Sequence, residues 1–141
     1  MQLEITIKGK PVSQKRHRHT KKGFTYDPSK GEKSDFIVLL HESAPKQPLG
    51  GDIFLQAYFY LPRPKKHFRT GKFSGVLKKD IPLYCKTRPD LDNYLKFVMD
   101  CCNGVIWIDD SQVVRVMMSK SYSIEPRTEL IIVEKNGINI T

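Results

Sequence analysis

A chain of 141 residues, 39% of them hydrophobic, has the length of one domain and can remove about two-thirds of its unfolded surface from water. It contains no run of about 18 apolar residues to cross a membrane, and MQLEITIKGK lacks the apolar core of a secretory signal, so a cytoplasmic setting with no membrane partner is expected. Three cysteines, Cys85, Cys101 and Cys102, supply neither a disulfide framework nor a CxxC or Cys/His zinc spacing, and the net charge of +9 favours a polyanionic partner.

In chain order, QLEITIK (2–8) alternates Leu3, Ile5 and Ile7 with polar neighbours, the pattern of a half-buried strand. The following GKPVSQKRHRHTKKGFTYDPSKG is a basic loop or irregular hairpin, in which His17 and His19 read as exposed residues beside the arginines. A helix is predicted over Glu32–Ala44, with Phe36, Ile37, Leu39 and Leu40 as its apolar face and Pro45 and Pro48 as its stop. Asp52–Leu61 is the clearest strand, halted by Pro62 and Pro64. Residues 62–89 hold four prolines and no periodic pattern, the mark of a long functional connection. Leu91–Cys102 is the best helix, since Leu91, Tyr94, Leu95, Val98, Met99 and Cys102 fall on one face; Asp90 can cap its start and Asn103-Gly104 its end. GVIWIDDSQVVRVMMSKSY then predicts a short strand, a turn at Asp109-Asp110-Ser111 and a longer strand, and Leu130–Glu134 a last one. This order implies an α+β fold, one mixed β-sheet packed against two α-helices within a single domain spanning 1–141.

Charge is segregated. Residues 8–33 carry nine Lys/Arg against two acids and 63–88 carry nine against one, together +15, which leaves the rest of the chain at −6. Two one-sign segments suit a nucleic-acid backbone better than a purely solubilising pattern would. Lys15, Arg16 and Arg18 in the first, and Lys65, Lys66, Arg69 and Arg88 in the second, are the candidate backbone contacts.

Against this background Asp90 to Asp110 hold five of the fifteen acids and a single base, Lys96. Each acid has a local excuse: Asp90 as a cap, Asp92 in a first helical turn, Asp109 and Asp110 in a tight turn, Asp100 paired with Lys96. Together they suggest a site. A helix of about 18 Å followed by a four-residue strand running back roughly 13 Å would return the Asp109-Asp110 turn to the helix start. Four carboxylates gathered there would need a cation, and Mg²⁺ or Mn²⁺ suits such hard oxygen ligands.

The run RPDLDNYLKFVMDCCNGVIWIDDSQVVRVMMSK (88–120) resembles the RusA family of Holliday junction resolvases. It carries D-x-D-N-x-x-K as Asp90, Asp92, Asn93 and Lys96, then Asp100, an apolar-aromatic segment with Trp107, D-D-x-Q-V as Asp109, Asp110, Gln112 and Val113, and a later lysine, Lys120. The resemblance implies a RusA-like fold and a homodimeric, Mg²⁺-dependent endonuclease that resolves four-way DNA junctions by paired symmetric nicks, leaving 5′-phosphate and 3′-hydroxyl ends. It further implies metal binding and catalysis by Asp90, Asp92 and Asp110, supporting roles for Asp109 and Lys96, and a DNA contact for Lys120. A restriction-type nuclease is disfavoured, because no lysine has Asp or Glu two positions before it. A non-catalytic DNA-binding protein of this fold, or a metal-dependent nuclease acting on other branched DNA or on RNA, are the alternatives.

Overall fold

The computed structural model describes residues 1–138. Strands β1 (Gln2–Lys8), β4 (Asp52–Pro62), β5 (Val113–Ser123) and β6 (Arg127–Lys135) form a four-stranded sheet. Its order is β1-β6-β4-β5, antiparallel except for the parallel β4–β5 pair. A two-residue hairpin, β2 (Arg18–His19) with β3 (Thr25–Tyr26), interrupts the first basic segment. Helices α1 (Lys30–His41) and α2 (Leu91–Cys102) cover one sheet face. The α+β expectation of one mixed sheet and two helices therefore holds, with α1 starting two residues earlier and ending three sooner than predicted.

The strand alternation decides which face is buried. Ile53, Leu55, Ala57, Phe59 and Leu61 of β4 align with Leu130 and Ile132 of β6 and Ile5 and Ile7 of β1, all buried under the helices. The helices dock through aromatic rings: Phe36 of α1 meets Phe97 of α2 edge-on at 5.4 Å, and Tyr94 of α2 lies 5.3 Å from Phe59 of β4. The α2 boundaries agree with the sequence reading, and Gly104, at φ 75°, takes the left-handed conformation that ends the helix.

One predicted element is absent. Val105–Ile108 is not a strand but a tight apolar turn, in which the Cys102 carbonyl accepts from the amides of Val105, Ile106 and Trp107. Leu49 N–H donates to Ile106 and Ile108 N–H to Leu49, which pins this turn beside the entry to β4. Its apolar character comes from Ile106 and Trp107, both fully buried, with the Trp107 Nε1–H donating to Asn103 Oδ1 at 2.8 Å.

A partly buried charge cluster ties α1, α2 and the first basic segment together. Lys33 Nζ reaches Asp27 at 2.6 Å and Asp100 at 3.1 Å, and Asp27 also accepts from Gln14 Nε2 and from the Ser29 amide. Asp100 thus pairs with Lys33 of α1, not with Lys96 as the helix spacing suggested. Burial pushes the Asp27 carboxyl up, but the hydrogen bonds from Lys33, Ser29 and Gln14 outweigh it and hold the group at about 2. A depressed carboxylate stabilises the fold above about pH 4 and loses that contribution as the pH falls toward about 2. Lys33→Met is expected to cost about 2 kcal/mol at pH 7, and melting curves between pH 7 and 2 should show a flatter acid limb than the wild type.

Candidate active site

α2 is built so that its first turn faces solvent. Asp90 is its N-cap residue by position, with extended backbone, yet its carboxylate makes no capping hydrogen bond. Asp92 stands exposed in the first turn and Lys96 exposed one turn later, while Tyr94, Phe97 and Val98 between them enter the core.

At the far end of the helix, the Asp109 side chain accepts from the Ser111 amide and the Gln112 side chain returns to the Asp109 amide, a capping box that starts a 3-10 turn over Asp110–Gln112. The hydrogen bond from Ser111 holds the Asp109 carboxyl below the usual carboxylate range. Gln112 Nε2 also donates to the Leu49 and Gly51 carbonyls at 2.8 and 2.9 Å, locking this corner to the entry of β4.

The acids therefore divide by what they touch. Asp27, Asp100 and Asp109 are committed to partners within the fold. Among the described residues, the carboxylates of Asp90, Asp92 and Asp110 take no hydrogen bond and no ion pair. The local explanation of Asp90 as a cap fails on the missing bond, and Asp110 is the member of the acid pair left free.

Within one chain these three do not converge. The first turn of α2 lies over the β4–β5 row of Phe59 and Lys120, because Tyr94 packs on Phe59 and the Lys120 ammonium donates to the Pro89 carbonyl. Asp110 lies beside Leu49–Ile53, where β4 begins. Six strand residues and the full length of α2 separate the two places, on the order of 20 Å. The expected single-chain cluster of four carboxylates is thus corrected, since it depended on the return strand that is instead the tight turn at 105–108. Consistently, among the described residues no three His, Cys, Asp or Glu side chains stand close enough to hold a metal.

The basic segments do converge, and on the Asp90 end. The Gln14 amide donates to the Asn93 carbonyl at 2.9 Å, which lays residues 10–15 along the first turn of α2. Lys10 and Lys15 there flank Pro89 and Tyr94 around a cavity of about 360 Å³. From the other side, Lys66, Lys86 and Arg88 rim a cavity of about 490 Å³ that also touches Pro89 and Tyr94. Lys15 carries a partly exposed ion pair with Glu32 at 3.4 Å, and Arg16 and Arg18 are exposed. Lys65 is exposed in a 3-10 turn, and the Arg69 guanidinium stacks over Phe73 at 4.2 Å.

Lys120 is occupied internally, donating to the carbonyls of Thr87 at 2.7 Å and Pro89 at 2.9 Å. Lys10, Arg63 and Lys86 join the candidate residues that the sequence reading passed over. Their charge was visible, but nothing in the sequence told which of the eighteen bases in the two segments would face α2. Cys101 and Cys102 are fully buried, and burial pushes both thiols up, Cys101 to about 12.

Free carboxylates at one end of α2 with basic segments beside them suit a protein that works on a polyanionic backbone, and comparison with known proteins gives the family. Residues 8–133 match the family model described as endodeoxyribonuclease RusA, and the chain belongs to the RusA endodeoxyribonuclease family. It is also 35% identical over 137 residues to the uncharacterized protein YqaN of Bacillus subtilis (strain 168), covering 94% of this chain and 96% of YqaN. No helix among the described residues is long and apolar enough to cross a membrane.

Proposed function

We propose that this chain, acting as a single domain in a homodimer, is a Mg²⁺-dependent endodeoxyribonuclease that resolves four-way DNA junctions by paired symmetric nicks. The observation that carries the reading is the set of three uncommitted carboxylates, Asp90, Asp92 and Asp110, in a chain whose two basic segments meet beside Asp90.

The separation of Asp110 from Asp90 and Asp92 along α2 supports a site shared between subunits. A two-fold axis crossing α2 near its middle would carry Asp110 of the partner subunit to the Asp90 end, and generate two equivalent sites. The surface between the two ends is suited to such an interface, because Ile108, Val114 and Val116 lie exposed there and β5 is an edge strand.

The donor set fits a hard divalent cation: Asp90 and Asp92 would hold it together with Asp110 of the partner subunit, with water completing the shell. When bound, the cation supplies an activated water and neutralises charge on the scissile phosphate. The chain's own groups do the rest. Lys96, one helical turn beyond Asp92, presents an exposed ammonium to a phosphate oxygen, and Lys10, Lys15, Lys66 and Arg88 hold the flanking backbone. Asp109 fixes the turn that presents Asp110.

Incubation of a labelled four-way junction and a linear duplex with purified protein and Mg²⁺ tests this. Paired symmetric nicks confined to the junction, and abolished by Asp110→Asn, are expected. Binding without cleavage would favour a non-catalytic DNA-binding protein of this fold. The backbone contacts have their own signature: Lys10→Ala and Lys66→Ala should each lower the slope of log affinity against log salt by about 0.9, and an unaltered slope would remove that residue from the DNA path.

A further inference from the structure

The larger cavity beside Asp90 has features that holding a phosphate backbone does not require. Its floor is apolar and buried, formed by Leu61, Tyr94 and Cys85, with the Tyr122 ring as one wall. Pro62, Pro64, Pro82 and Pro89 supply further flat, rigid surfaces. Five bases stand around it, Lys10, Arg63, Lys66, Lys86 and Arg88, and among the described residues no acid lines it. Tyr84 lies at its rim with 62% of its surface exposed, a ring that the fold leaves without a core role.

The walls are braced. Arg63 Nη1 donates to the Pro82 carbonyl at 2.8 Å and its guanidinium lies 5.5 Å from the centre of the Tyr122 ring. His67, only 5% exposed, meets Tyr122 edge-on at 4.9 Å. Burial, followed by the charges of Arg63, Lys66 and Lys78, holds the His67 imidazole below its ordinary value, so the ring lining the cavity is neutral near pH 7.

We infer that this cavity receives one unstacked nucleobase from the DNA strand whose phosphate lies at Asp90 and Asp92. The inference rests on the nuclease reading above and adds to it a base-binding site next to the scissile phosphate. Its volume of about 490 Å³ falls in the range of small-molecule sites and accommodates a single base. The chemistry matches that occupant: an apolar, aromatic interior accepts a base face, while a rim of bases without acids accepts the phosphates on either side. Unstacking is cheapest where the stack is already interrupted, so a branch point would surrender a base more readily than continuous duplex. The cavity thereby offers a means of preferring branched DNA that works through base capture, separate from the overall charge.

The test uses the full-length Asp110→Asn protein, which holds the junction uncut, and four-way junctions carrying 5-iododeoxyuridine at one position at a time around the branch point. After irradiation, crosslinks are expected from one position per strand and should map to Tyr84 or Tyr122. In the wild-type background, Tyr84→Ala should weaken junction binding about tenfold and leave duplex binding unchanged. Junction binding with crosslinks only outside the cavity would overturn the base site while leaving the nuclease reading intact. So would an equal loss on junction and duplex, which would reduce the cavity to a phosphate-contact surface. Absence of any junction binding would overturn both readings.

Discussion

Asp92→Asn and Asp110→Asn subunits, each strongly impaired alone, are expected to regain about a quarter of wild-type nicking when co-expressed in equal amounts and purified together. The arithmetic follows from a shared site. In a heterodimer, the Asp110→Asn subunit still offers an intact Asp90–Asp92 end, and the Asp92→Asn subunit still offers an intact Asp110. One of the two sites is then complete and the other has lost both ligands. Random pairing makes about half of all dimers heterodimers, so about a quarter of all sites are whole. Those dimers should nick one strand of a four-way junction and fail to make the paired second cut, which a nicked-junction assay on a denaturing gel distinguishes from resolution. If instead each site drew all its carboxylates from one chain, every site in the mixture would carry one substitution. Nicking would then stay at the level of the single variants, and the shared-site reading would be wrong. Each single substitution is expected to lower the rate by about 10²–10³-fold, the usual cost of removing a group that acts on charge developing in the transition state.

What the sequence disclosed and what it concealed separate along physical lines. α2 was legible to the residue because its apolar positions keep one face over three turns and because Asp90 and Asn103-Gly104, residue types that favour helix ends, punctuate it even though the Asp90 side chain makes no cap bond. β4 was legible because five alternate residues had to face one core. The Val105–Ile108 segment was not, since a four-residue apolar run is equally consistent with a strand and with a turn whose side chains plug the core, as Ile106 and Trp107 do. That single ambiguity moved Asp109 and Asp110 from one end of α2 to the other, away from Asp90 and Asp92. The Lys33–Asp100 pair was hidden for another reason: its partners lie 67 residues apart, so only the α1–α2 packing reveals it. The identity of the free acids was half visible. The motif named Asp90, Asp92 and Asp110, and the structure adds that they are the acids of the 90–110 stretch left without internal partners.

Lys120 is a motif residue whose ammonium is held within the fold, and Lys120→Met distinguishes a positioning role from a contact with the DNA backbone. Its ammonium bridges the carbonyls of Thr87 and Pro89, the residues that lead directly into Asp90, from a position on β5 opposite Phe59. Methionine keeps the unbranched stem and removes the charge, so the carbonyls lose their shared donor while β5 keeps its packing. The expected stability cost is about 1–2 kcal/mol, read as a small fall in melting temperature. Cleavage should fall further, by about 10–100-fold, because Asp90 is no longer held at the end of a fixed segment, and the Mg²⁺ concentration for half-maximal activity should rise. The salt slope of junction binding should not change, since no phosphate contact has been removed. A Lys120 that touched the DNA backbone would give the opposite signature: a slope lower by about 0.9 with an unaltered Mg²⁺ requirement. Lys120→Arg sharpens the contrast, because arginine retains the charge for a phosphate but places its planar fork poorly between two carbonyls set for a compact ammonium. Failure of Lys120→Arg to restore the wild-type Mg²⁺ dependence, at an unchanged salt slope, would assign Lys120 to positioning Asp90.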